Sequence, residues 1–80
     1  MNEEPVEPDR EGAERWLEVY THLIETTVKT LAATRQYLKT LPEPARRYVA
    51  RANVDVMEQE LAWFYERRSV WAARLSGFTD

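Results

Sequence analysis

The chain has 80 residues, no cysteine and a formal net charge of −3. A chain of this length forms one small domain, and such domains seldom bury enough apolar surface to be stable without a staple or a partner. Because cysteine is absent, neither a disulfide nor a thiolate metal site can be that staple. We expect a cytoplasmic protein with no membrane association, since no apolar run could span a bilayer and the acidic start does not resemble a secretory signal.

The first eight residues combine two prolines with three glutamates. A segment of this composition cannot offset the entropy of ordering its backbone, so we expect a disordered acidic leader over residues 1–8. The rest of the chain, 9–80, is close to neutral. This balance argues against nucleic acid or an anionic membrane as a general partner.

The first half of the chain has a leucine or isoleucine at every seventh position: Leu17, Ile24, Leu31 and Leu38. This spacing predicts a helix over about 10–40 with one apolar stripe facing a partner helix, and Asp9 is placed to cap its first turn. The sequence Leu41-Pro42-Glu43-Pro44 then predicts a turn at 41–43. Pro42 disfavours helical geometry at Leu41, whereas a proline is tolerated in the first turn of the next helix.

A second apolar ladder predicts a second helix over about 43–76: Ala50, Met57, Phe64, Trp71 and Phe78. Gly77 is expected to end this helix in the left-handed conformation. A connection this short makes the two helices antiparallel neighbours, so residues 9–80 are predicted to form one all-α helical hairpin. In that register Tyr20 packs against Phe64 and Ala13 against Trp71.

The second helix has more apolar surface than a hairpin can cover. A further row with seven-residue spacing lies well around the helix from the ladder: Val49, Val56, Trp63 and Val70. A helix that is apolar on two sides is normally buried, so we predict that two hairpins pair into a homodimeric four-helix bundle, with Trp16 joining the interface. The alternative is that Trp63 lies flat against its own hairpin and that the alanines flanking this row are only good helix formers in solvent.

No combination of residues indicates a catalytic or cofactor site. His22 has Glu18 and Glu25 one turn away on either side, but this group falls on the face opposite the Leu17 ladder, where no second helix could complete a metal site. The chain has no cysteine nucleophile, no histidine placed to activate a serine, and only two glycines. We therefore predict a non-enzymatic protein that uses no metal or cofactor.

Basic residues gather at the predicted turn: Lys39, Arg46, Arg47 and Arg51. They could bind a phosphate or another anion, although Glu43 and Asp55 lie four residues from Arg47 and Arg51 and can pair with them. We call this end of the hairpin the basic tip.

Three functions follow from these patterns. The first is a protein-interaction or dimerisation module that serves as an adaptor, scaffold or regulatory partner. The second is a ligand-sensing bundle that holds an apolar or aromatic molecule among five aromatic residues: Trp16, Tyr20, Trp63, Phe64 and Trp71. The third is nucleic-acid or phosphate binding at the basic tip, whose affinity would fall steeply with salt.

Overall fold

The computed structural model describes residues 9–78, of which 90% are helical and none lies in a strand. Two long helical segments run antiparallel and form a rod of about 55 × 18 × 16 Å. The predicted all-α helical hairpin is therefore confirmed. The predicted disordered leader, residues 1–8, lies outside the described residues.

Helix α1 spans Arg10–Leu38 and begins as the sequence predicts. The Asp9 carboxylate accepts a hydrogen bond of 2.6 Å from the backbone N–H of Gly12, which satisfies one of the free donors of the first turn. The helix ends two residues short of the predicted residue 40. Its end tightens into three-residue turns, with the N–H of Thr40 donating to Tyr37 and that of Leu41 to Leu38.

Helix α2 spans Glu43–Val49 and follows the turn directly. Pro42 is the extended residue before the helix, with φ −66° and ψ 159°, and its carbonyl accepts the N–H of Arg46 at 2.9 Å. Pro44 lies in the first turn, where its missing N–H removes no helical hydrogen bond. The two prolines thus produce the reversal of direction that the sequence predicts.

The second helical segment is not a uniform α-helix. A π-helical turn spans Ala50–Val54, and the N–H of Asp55 donates to the carbonyl of Ala50, five residues earlier. Helix α3 then spans Asp55–Ser76. The sequence analysis predicted one continuous helix here and did not foresee the π turn.

The spacing of apolar residues explains this turn. Ala45 and Val49 are half-buried four residues apart, and the buried Val54 follows nine residues after Ala45 and five after Val49, with the half-buried Ala50 between them. An α-helix has 3.6 residues per turn and would carry one of these residues away from α1. The wider π turn accommodates the extra residue, and both the π turn and α3 pack against α1.

The end of α3 differs from the prediction. Gly77 has φ −68° and ψ −15°, a right-handed conformation, so the expected left-handed cap is wrong. The N–H of Gly77 donates to both Ala73 and Arg74, and that of Phe78 donates to Leu75. These bonds satisfy the last carbonyls without a reversal of backbone handedness.

The core is a thin line along the seam between the two helical segments. Six residues of the described chain are buried, and all are apolar or aromatic: Ala13, Tyr20, Ile24, Leu31, Val54 and Trp71. Trp71 is the one large side chain among them that is fully enclosed. The other ladder residues are half-buried, except Phe78, which is 40% exposed at the open end of the hairpin.

Candidate interaction surface

Five aromatic rings form a connected cluster in the half of the hairpin near its open end. Tyr20 lies at the centre, with ring centroids 6.1 Å from Trp16, 6.0 Å from Trp63 and 6.2 Å from Phe64. Trp16 also stacks on Trp71 at 6.2 Å, with 17° between the ring planes. The predicted packing of Tyr20 against Phe64 is confirmed. We call these five residues the aromatic cluster.

Trp63 belongs both to this cluster and to the protein surface. Its ring meets Tyr20 and Phe64 edge-on, at interplanar angles of 68° and 66°. Even so, 51% of the residue remains exposed. Trp63 is therefore held in place by its own hairpin while it presents about half of its surface to solvent.

The residues of the predicted second stripe differ in their exposure to solvent. Val56, seven residues before Trp63, is 46% exposed. Val70, seven residues after Trp63, is half-buried. Val49 is half-buried beyond the π turn. We use the name Trp63 face for the part on α3, which consists of Val56, Trp63 and Val70.

Trp16 is half-buried against the aromatic ring of Trp71. The sequence analysis placed it in the predicted interface because it lies beside the ladder of α1. In the structure it contributes first to the packing of the hairpin itself. Through the buried Tyr20 it is also connected to Trp63, so the aromatic cluster joins α3 to α1.

The opposite side of the hairpin is more polar. Tyr65, about 200° around α3 from Trp63, is 44% exposed, and the guanidinium of Arg68 lies 5.3 Å from its ring centre. Arg35 and Glu58 form an ion pair of 2.9 Å between the two helical segments on this side. Exposed pairs of this kind contribute little to stability, typically about 0.2–1 kcal/mol.

The basic tip already uses part of its charge within the hairpin. The Arg46 guanidinium donates to the carbonyl of Leu41 at 3.0 Å and lies 3.4 Å from Glu43. Arg47 lies 3.4 Å from the same carboxylate, whereas Arg51 and Lys39 point outward as exposed side chains. Arg46 therefore helps to hold the turn and is not a free anion ligand.

Sequence reasoning missed Tyr48, which is 74% exposed at the tip. It stands between Arg47 and Arg51 on one side of an open groove of about 440 Å³ that also includes Pro44 and Ala52. The signal available in the sequence was its position next to Arg47 and three residues before Arg51. An exposed tyrosine flanked by two arginines can contact an acidic or aromatic surface.

No group of three or more histidine, aspartate or glutamate side chains within residues 9–78 comes together in a way that could hold a metal ion. His22, Glu18 and Glu25 are all exposed on α1. In the same described part of the chain, no helix has the length and apolar character needed to cross a membrane.

Comparison with known proteins shows no family model that matches the chain, and no curated protein or solved structure matches it significantly. The fold places the chain in the class of all-α helical hairpins. The exposed Trp63 face is the feature that must carry any functional argument.

Proposed function

We propose that this chain is a small non-enzymatic protein-interaction module that forms a homodimer by packing the Trp63 face of two copies into a four-helix bundle. The observation that carries the proposal is the state of Trp63, which is 51% exposed while its ring is fixed against Tyr20 and Phe64. A large aromatic side chain that is held rigidly and half exposed loses little entropy when a partner covers it.

The small core supports the same proposal. Only six of the described residues are buried, whereas Trp63, Val56 and five other large apolar residues are at least 40% exposed. Among these residues Val56 and Trp63 lie on one face of α3, and apolar surface that is grouped in this way marks interaction sites in small proteins. Association would add the burial that a single hairpin of this size lacks.

The dimensions of the hairpin allow an interface of adequate size. A face 55 Å long and one helix diameter wide, about 10–12 Å, covers roughly 600 Å². The Trp63 face itself spans about 21 Å of this length, so two copies reach about 1,200 Å² in total, the lower end of the range for stable complexes, when the contact continues along the whole rod.

The aromatic cluster is packed against itself, which argues against an apolar or aromatic ligand. The buried side chains within residues 9–78 are all apolar or aromatic, with polar atoms only in the Tyr20 hydroxyl and the Trp71 indole N–H. The rings of the aromatic cluster already contact one another at 5.9–6.2 Å between neighbouring centroids. A ligand would have to displace these contacts, so the arrangement favours protein interaction over ligand sensing.

Sedimentation equilibrium of the full chain tests the proposal directly. The chain has a mass of 9.5 kDa, so a homodimer has a mass of about 19 kDa. We expect a reversible monomer–dimer equilibrium with a dissociation constant in the micromolar range or below, as interfaces of this size allow. A species of 9.5 kDa at all concentrations up to the highest tested would overturn the proposed homodimer.

A further inference from the structure

Charge is distributed unevenly along the hairpin. Residues 29–55, which surround the turn, include six basic and two acidic side chains, a net charge of +4. Residues 9–28 and 56–78, which form the other end, include five basic and eight acidic side chains, a net charge of −3. In the sequence three further glutamates precede Asp9: Glu3, Glu4 and Glu7. The rod is therefore basic at its turn and acidic at its open end.

The exposed apolar residues are arranged symmetrically about Trp63. Val56 and Val70 lie seven residues before and after it, and the exposed aromatic residues Tyr48 and Phe78 lie fifteen residues before and after it. A two-fold axis through Trp63, perpendicular to the rod, brings Val56 of one copy level with Val70 of the other. It also brings Tyr48 level with Phe78.

Two copies could also align with both turns at the same end, in which case each residue would meet itself. Apolar matching is satisfied in both arrangements, so charge decides between them. Packed helices lie about 8–10 Å apart, which is no greater than the Debye length of roughly 10 Å at 0.1 M salt. Charges that face each other across the interface are therefore close enough to interact despite screening by salt.

We propose that the partner of the Trp63 face is a second copy in the antiparallel arrangement, with the turns at opposite ends and the two-fold axis close to Trp63. This inference rests on the proposed homodimer and specifies its geometry. In this arrangement each basic tip, with Arg47 and Arg51, lies beside the acidic open end of the other copy, where Asp9 and Glu11 begin α1. The same-end arrangement would place the two +4 regions side by side, where like charges repel.

One pair of charges near the centre agrees with the antiparallel geometry. Glu60 lies three residues before Trp63 and Arg67 four residues after it, both on the side of the Trp63 face that borders the seam. The two-fold axis brings Glu60 of each copy to within one residue's rise of Arg67 of the other. This polar pair would flank the apolar centre on the side toward the seam.

Distances between spin labels on the two copies test the arrangement. Since the chain has no cysteine, single labels can be introduced at Thr40→Cys, beside the turn, and at Ala62→Cys, next to the two-fold axis. Both residues are exposed. Thr40 lies level with about residue 45 of the second helical segment, eighteen residues from Trp63. At about 1.5 Å per residue the two Thr40 labels of an antiparallel dimer are therefore separated by about 50 Å or more.

Each outcome of the measurement has a defined meaning. We expect a short distance, below about 35 Å, for the Ala62 labels and a long one for the Thr40 labels, since helix diameters of about 10–12 Å set the width of the bundle. Short distances at both positions would overturn the antiparallel arrangement and leave the proposed homodimer intact. If neither pair of labels shows a distance between copies, both the arrangement and the homodimer are overturned.

Discussion

Replacing Trp63 by serine tests the contribution of the interaction surface to association. Aromatic side chains bury about 150–250 Å², and Trp63 is 51% exposed, so the hairpin leaves roughly 125 Å² for a partner to cover. At about 25 cal/mol per Å² this burial is worth about 3 kcal/mol for each copy. A dimer contains two copies, which gives an upper limit of about 6 kcal/mol, or roughly a 10⁴-fold change in dissociation constant. We expect Trp63→Ser to raise the dissociation constant by at least 100-fold in sedimentation equilibrium.

Tyr65→Ser provides the matched control, because Tyr65 is an aromatic residue of similar exposure, 44%, on the other side of α3. It should change the dissociation constant by no more than about twofold, as is usual for surface substitutions outside an interface. Trp63→Ser also removes two ring contacts within the hairpin, each worth about 0.5–1.5 kcal/mol, so circular dichroism must first show that the variant is folded. Equal effects of the two substitutions on association would refute the assignment of the Trp63 face.

Three further predictions test the interface, the π turn and the seam separately. Val56→Lys should weaken dimerisation at least 100-fold in sedimentation equilibrium because it places a charge in the Trp63 face. Val28→Lys is the matched control and should have almost no effect, because Val28 has a similar exposure, 44% compared with 46%, and lies seven residues before Arg35 on the polar side of the hairpin; comparable dissociation constants for the two variants would count against this interface. Deleting Ala52 should convert the π turn into α-helix and keep Val49 on the side of Val54, because the spacing between them falls from five residues to the four that suit an α-helix, so circular dichroism should show full helicity; a loss of helicity would contradict the view that one extra residue causes the π turn. Phe64→Ala should lower the free energy of unfolding by about 3 kcal/mol, the low end for phenylalanine because the ring is half-buried, in chemical denaturation of the monomer; loss of association without loss of stability would contradict its place in the seam.

The seam of the hairpin could be predicted from the sequence because two physical signals agree there. Seven-residue spacing keeps Ile24 and Leu31 on one face of α1, and the two prolines reverse the chain after that helix. Once the direction is reversed, the common rise of the two helices determines which residues meet. The contact between Tyr20 and Phe64 follows from that register and is present in the structure.

The π turn could not be predicted by the same reasoning. The spacing of five residues between Val49 and Val54 is visible in the sequence, but two explanations account for it equally well. Val49 could belong to a second stripe of an ideal α-helix, or the helix could widen to bring it back toward α1. The prediction assigned Val49 to a second stripe of a regular helix, whereas in the structure the helix widens directly after Val49, which is half-buried.

The different environments of Trp16 and Trp63 could not be predicted from the sequence either. Trp16 and Trp63 each flank a ladder at similar angles, so their positions on a helical wheel do not distinguish core from interface. In the structure Trp16 stacks on Trp71, with nearly parallel rings, and Trp63 meets its neighbours edge-on. A helical wheel gives the direction of each side chain around its helix but not its rotamer, so it does not specify these ring contacts.

Folding and association are coupled in this molecule if the Trp63 face is its interface. Trp63 contacts Tyr20, which is 3% exposed at the centre of the aromatic cluster, so any partner that holds Trp63 in place also restrains the core. A ligand or subunit that binds only the folded state stabilises that state by mass action. A hairpin with six buried residues would gain a large share of its stability in this way. In such a dimer the second copy covers the exposed half of Trp63 and thereby extends the thin core of the first.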